Sequence, residues 1–207
     1  MVSIIIPYNE DRGFLGQAMR SAHLAAGVGD HVIVQHGVGK SFAQNFNQAL
    51  DKVVTPYVCF LAEDDMLTRD SITARVNAMA NNDYDFVCAN ATIFGDHIED
   101  IHYISRVPRN AQVLAEHNSI HGGTVMYRTD ALRAVGGMDE TLITGEEWEL
   151  NMRLLKAGYH LGYVNATVYL NRLHLAQKSG GGVIQPQHFA DIKARKAYLR
   201  RIADNYR

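Results

Sequence analysis

Cysteine is scarce in this chain. Two occur in 207 residues, Cys59 and Cys88, each inside an apolar stretch. That excludes a disulfide framework and reads as two buried thiols in a reducing cytosol. An excess of one charge sign is also missing. Twenty Lys and Arg against 22 Asp and Glu leave a net charge of −2 and a pI near 6.5, so no global basic field grips nucleic acid. No apolar run approaches the roughly 18 residues that a membrane span requires. The opening MVSIIIPYNE has no basic leader and does not read as a signal peptide. There is no internal repeat and no low-complexity tract. Two sequons, at Asn90 and Asn165, fall in expected strands and read as accidental.

What remains is an ordinary globular composition, 47% hydrophobic and 20% charged. The length suits one domain, or one domain with an appendage, and a single core. Strand and helix signals alternate through the first half. VSIII (2–6) is a β-branched run, as in a strand covered on both faces, and Pro7 is expected to end it. Residues 11–26 read as a helix and HVIVQ (31–35) as a strand. SFAQNFNQALDKV (41–53) reads as a helix with Ser41 as its N-cap. YVCFL (57–61) is a strand, Thr68 is expected to cap a helix running to Ala80, and DFVCANATIF (85–94) is a fourth strand. This order predicts a mostly parallel α/β sheet flanked by helices, with ligands beyond the carboxyl ends of the strands.

The second half is less regular. HIEDIHYISR (97–106) reads as an edge strand or hairpin arm, and GTVMYR (123–128) as a strand. TDALRAVGG (129–137) reads as a short helix closed by glycines. Thr144 is expected to open a helix that stops at Gly158, before a strand over 161–170. KSGGGV (178–183) reads as a flexible turn or mobile loop. Pro186 to Arg207 reads as an amphipathic helix with Phe189, Ile192, Leu199, Ile202 and Tyr206 on one side.

Three constellations could carry chemistry. FLAEDDML (60–67) ends a buried strand on Glu63, Asp64 and Asp65. Like charges at a strand end are tolerable around a divalent cation, which takes carboxylates together with phosphates. A solvated acidic turn explains them equally well. In TGEEWEL (144–150), Thr144 and Glu147 have capping-box spacing, while one acid of the trio could instead face a cleft as a general base. In LNRLH (170–174), His174 follows an Arg at a strand end and could meet a metal or phosphate, although it is one of ten histidines.

Taken together and in order, these segments resemble the nucleotide-sugar-dependent glycosyltransferases of family 2, which have the GT-A fold. VSIIIPYNE resembles the family's first strand and Pro-Tyr/Phe-Asn turn. SFAQNFNQALDKVVTPYVCFLAEDDML resembles its Asn-containing helix and the strand carrying DxD-type acids. GTVMYRTDALRAVGGMDETLITGEEWELNMRLLKAGYHLGYV resembles its acceptor-side segment, and YLNRLH its Tyr-Arg-x-His stretch. The resemblance covers most of residues 1–175, with a nucleotide-sugar-binding half over 1–95 and an acceptor-side half over 96–175. It leaves 176–207 as a Gly-rich loop and C-terminal helix.

The resemblance implies roles. Pro7, Tyr8, Asn9, Gln35, His36, Asn45 and Asp64 would bind the donor, a UDP-sugar. Asp64, Asp65 and His174 would hold Mn²⁺ or Mg²⁺. Glu147 would be the base of an inverting transfer, with Gly122, Gly123, Glu146 and Trp148 on the acceptor side. The acceptor would be a glycan or glycolipid first, and a hydroxylated nucleic-acid base second. The basic C-terminal helix would be an ordinary packing helix or a peripheral contact with membrane or phosphate. Departures are plain. Ala62 replaces the first acid of DxD, Gln35 and His36 stand where the family has Asp, and the base is Glu rather than Asp. There is no Gln-x-x-Arg-Trp motif, which argues against a processive synthase. A degenerate nucleotide-sugar-binding module is the non-enzyme rival. A nucleotidyltransferase is disfavoured, because PYNEDRG is acidic and poor in glycine where a phosphate loop would need glycine and basic residues.

Overall fold

The computed structural model describes residues 1–96, 98–174 and 192–206. The strands are β1 (Val2–Tyr8), β2 (His31–His36), β3 (Tyr57–Phe60), β4 (Met66–Leu67), β5 (Phe86–Gly95), β6 (Ile98–Tyr103), β7 (Met126–Arg128) and β8 (Leu161–Leu173). The helices are α1 (Leu15–Ala25), α2 (Phe42–Leu50), α3 (Ser71–Asn81), α4 (Ala111–Glu116), α5 (Thr129–Ala134), α6 (Glu146–Lys156) and α7 (Ile192–Asp204). A 3-10 turn lies at Gly122–Thr124.

One sheet runs β2-β1-β3-β7-β5-β8-β4, with β6 added to β5. β1 pairs parallel with β2 and β3, and β5 pairs parallel with β8. β7 is antiparallel to both of its neighbours. The period of two in the strands divides the core. Ile5, Val58, Phe60, Phe86 and Cys88 face α2, α4, α5, α6 and α7. Ile4, Ile6, Cys59, Val87 and Ala89 face α1 and α3. The two thiols are therefore free, buried and on opposite faces. The chain steps from β1 out to β2, then back past β1 to β3. Right-handed crossovers place α1 and α2 on opposite faces, and the carboxyl ends of β1 and β3 open a crevice between them.

Pro7 does not end β1, which runs to Tyr8 and pairs Pro7 with Gln35. Leu61 N donates to Ile5 O, so alternate residues turn their main-chain groups toward β3. β3 has stopped by Pro7, and its missing N–H falls where no strand needs it. Ser41 caps α2 in a full capping box with Gln44. Thr68 does not cap α3: the N-cap is Asp70, and the Thr68 hydroxyl donates to Thr167 O. α6 begins after Gly145, which is left-handed at φ 84° and provides no side-chain cap, so the expected opening at Thr144 is displaced by one residue. β4 and α4 were not foreseen from sequence.

The start of the expected C-terminal helix, with Pro186 and Phe189, and the loop over 178–183 lie outside the described residues. Ile202 and Ala203 of α7 are buried in the main core, while Lys196, Arg200 and Arg201 are exposed. Among the described residues no helix is long and apolar enough to cross a membrane.

Candidate active site

A cleft of about 840 Å³ opens at the carboxyl ends of β1 and β3. Pro7, Tyr8 and Asn9 form one part of its wall, where β1 runs out. The main chain there is fixed by α2. Asn45 Nδ2 donates to Tyr8 O at 3.3 Å and Gly37 O at 3.4 Å. Residue 37 must be glycine, since a Cβ would lie 1.9 Å from Asn45 Oδ1. Asn9 Oδ1 accepts from Gly39 N at 2.9 Å. His36 stacks on the Tyr8 ring at 4.5 Å, and its Nε2 lies 3.2 Å from Asn9 O. It backs the wall instead of lining it. Gln35 is excluded from the cleft: neighbouring strand residues point oppositely, and its amide is committed to Lys52 Nζ at 2.7 Å and to Gln48 and His36 O. Direct donor contact by Gln35 is therefore corrected to a supporting role beneath β2.

The acidic loop follows β3. Arg12 Nη1 lies 3.0 Å from Glu63 Oε1 and 3.6 Å from Asp64 Oδ2, and His174 Nε2 lies 2.9 Å from the same Asp64 oxygen. These groups offset the repulsion between neighbouring acids. Burial, then the Asp64 charge, raise the Glu63 pKa, and Arg12 opposes them. Asp65 is buried. Its Oδ2 accepts from Tyr169 OH at 2.8 Å, and its Oδ1 accepts from Arg172 N at 2.7 Å. Asn171 Nδ2 donates to both oxygens, at 3.0 and 3.2 Å. Burial and the Asp64 charge push Asp65 up to about 7 against those donors. Tyr169 OH also accepts from Ala62 N at 3.2 Å, so β8 grips the loop at both ends. Arg172 sits between the Phe14 and Phe94 rings, at 4.6 and 4.7 Å, and donates to Asp64 O at 3.0 Å.

Asp64 and His174 have the chemistry to take a cation, but they lie 2.9 Å apart as a hydrogen-bonded pair. Asp65 does not fit, because turning it to an ion would strip three buried donors. Among the described residues no group of three or more His, Cys, Asp or Glu is placed to hold a metal.

Glu147 lines the same cleft, with Glu146 and Trp148. The turn at Gly122–Thr124 is wedged between Glu147 and β8. A Cβ on Gly122 would lie 2.9 Å from Glu147 Cβ, and one on Gly123 would lie 2.4 Å from the Tyr169 ring. Only glycines allow that approach. Arg75 is wholly buried, and its Nη1 donates to Thr124 O and Val125 O, both at 3.3 Å, anchoring the turn from α3. Trp148 Nε1 donates to Leu114 O at 2.8 Å, which fixes the indole. Chemically, the arrangement puts two carboxylates, Asp64 and Glu147, in the lining of one cleft, with His174 hydrogen-bonded to Asp64 from outside that lining. Sequence reasoning missed Arg12, Arg75, Asn171 and Tyr169. The two β8 residues share one face by period two, a signal that becomes readable only once β8 is known to pass Asp65.

The family model for glycosyl transferase family group 2 matches residues 57–197, more than half of the chain. No curated protein sequence matches it. Among solved structures, Staphylococcus aureus TarS aligns at a TM-score of 0.64 with 13% identity, over 83% of this chain and 36% of that one. TarS 1-349 in complex with UDP-GlcNAc aligns at 0.65 with 13% identity, over 85% and 59%. The UDP complex of the same fragment aligns at 0.61 with 14% identity, over 83% and 60%. This chain thus spans less than two thirds of those chains.

Proposed function

The chain belongs to glycosyl transferase family group 2, and from that premise we propose that it moves a sugar from a UDP-sugar to an acceptor hydroxyl with inversion at the anomeric carbon. The observation that carries this reading is that Asp64 and Glu147 both line one cleft. The crystallised complex of TarS with UDP-GlcNAc supports a UDP-sugar as the donor class.

Tyr8, Asn9 and the Asn45-braced main chain form the nucleotide end. Asp64 and His174 would hold Mn²⁺ or Mg²⁺, which offsets charge on a departing diphosphate. Arg12 keeps Glu63 and Asp64 in register beside it. Glu147 takes the proton of the acceptor hydroxyl as that oxygen becomes acidic in the transition state. The oxygen–carbon bond forms on one face of the sugar while the carbon–phosphate-oxygen bond breaks on the other, which inverts the centre. Gly122 lets the main chain pack against Glu147 and hold its stem. A cytoplasmic location fits this donor, and the exposed Lys196, Arg200 and Arg201 of α7 offer a membrane or phosphate contact, while Ile202 and Ala203 are packed inside.

The test is release of free nucleotide from a panel of nucleotide sugars. Slow hydrolysis of a UDP-sugar, accelerated by acceptors, is the expected result. Affinity without turnover would instead leave a binding module, the reading that Ala62 at the first DxD position favours.

A further inference from the structure

Arg12 is tied to both parts of the donor site. It stands on the loop that leaves β1 just after Tyr8 and Asn9, and with those two and Asp64 it lines the cleft. The main chain of that loop is fixed. Asp11 Oδ1 accepts from Gly13 N at 2.8 Å and from Leu15 N at 3.4 Å. Phe14 packs against His174 at 4.9 Å and under the Arg172 guanidinium at 4.6 Å, which docks the loop on the end of β8. With the main chain set, what can move is the long Arg12 side chain, which is 30% exposed.

Its two partners are held at unequal distances. Nη1 lies 3.0 Å from Glu63 Oε1 but 3.6 Å from Asp64 Oδ2, and that same Asp64 oxygen meets His174 Nε2 at 2.9 Å. The contact with Asp64 is therefore the long one, and it duplicates what His174 supplies. A partly solvated ion pair of this kind adds little, so exchanging it for another anion costs little. Both ion pairs run through Nη1. The planar guanidinium has further donors on Nε and Nη2, and its fork matches phosphate oxygens through two parallel hydrogen bonds. A diphosphate also brings more charge than one carboxylate, in a cleft that screens less than bulk water.

Resting on the transferase reading, we infer that Arg12 is a donor-binding residue, whose guanidinium gives up Asp64 and takes the diphosphate of the nucleotide sugar while keeping Glu63 as its anchor. The long contact is surrendered and the short one is kept. Glu63 then acts through Arg12, holding the cation at the cleft until the donor arrives. The exchange also places a positive group between the incoming phosphates and the acids that would otherwise repel them. It makes the site discriminate a nucleoside diphosphate from the bare nucleoside by a side chain of this loop.

The experiment uses the whole chain with Mg²⁺ present, titrated with UDP by calorimetry and with uridine by ligand-observed NMR. Arg12→Gln is expected to weaken UDP by about tenfold or more, the scale of a lost charge-assisted contact, and to leave uridine unchanged. Arg12→Lys keeps the charge without the fork, and its UDP affinity is expected to fall between the two. Glu63→Gln releases Arg12 and is expected to bind UDP at least as tightly as the wild type. UDP affinity unchanged in Arg12→Gln would overturn the inference while leaving the transferase reading in place. Equal losses in Arg12→Gln and Glu63→Gln would do the same, because Arg12 would then only hold the acidic loop. So would a parallel loss of uridine, which would mean a displaced nucleotide wall. A wild type that binds neither UDP nor uridine would remove the transferase reading and this inference together.

Discussion

At the scale of single residues, Asp65 and Glu147 separate structural from chemical acids. Asp65 receives donors from Tyr169, Asn171 and the Arg172 main chain, all on β8. Asp65→Ala leaves those buried donors unpaired and is expected to cost about 1–3 kcal/mol of stability, read from the urea midpoint. A melt unchanged beside a lost metal response would instead make Asp65 a ligand. Glu147→Gln is expected to keep donor binding and to slow transfer by about a hundredfold or more, the scale of a lost general base. Steady-state kinetics with calorimetry on the same preparation decides it. Normal turnover with a lowered melting temperature would reduce Glu147 to a helix-start residue. The spacing of Thr144 and Glu147 left both roles open. The structure places the N-cap at Gly145, which removes the capping box as the main account of Glu147. Asp64 stood out in the sequence because it ends an apolar run, and Glu147 only through the family resemblance. The partners of Asp65 were not, since they lie 104 to 107 residues away and only tertiary contact reveals them.

At the scale of elements, the Gly122–Thr124 turn packs against both Glu147 and Tyr169. Gly122→Ala presses on Glu147, and Gly123→Ala drives a methyl into the Tyr169 ring. The first is expected to lower kcat with little loss of stability. The second should cost about 1–3 kcal/mol, because the ring belongs to a packed core and cannot retreat freely. Thermal melts and kcat measured side by side separate the two effects. If both variants keep wild-type kcat and stability, the turn does not position the site. β1, β3 and β5 were readable because β-branched and aromatic runs bury both faces, and β2 because of its short β-branched run, although it is a partly exposed edge strand. β4 spans two residues and α4 spans six, too short for periodicity to register. Pro7 misled by rule: it breaks a central strand, but here its N–H side has no neighbour.

At the scale of the molecule, α7 is part of the main body. Ile202 is only 6% exposed and joins the cluster that includes Leu150 and Leu154 of α6. Ile202→Ala is expected to cost about 2–4 kcal/mol, measured by chemical denaturation. A loss under about half a kcal/mol would make α7 a peripheral appendage. The α/β sheet and its functional edge were legible from the alternation of strand and helix, and the GT-A class from the family resemblance; the sheet is mixed, with three parallel and four antiparallel pairings. Its order was not legible. β7, three residues long, is inserted antiparallel between β3 and β5, a pairing fixed by packing of Met126 and Tyr127 on opposite faces and not by any local signal.

The account as a whole turns on the donor diphosphate being held at Asp64, in the cleft that Glu147 also lines. Calorimetric titration of UDP into the wild type and into Asp64→Ala, with and without Mn²⁺, tests this most directly. Mn²⁺-dependent binding in the wild type that disappears in the variant is the predicted result. Equal affinity in both proteins, with or without the ion, would contradict it.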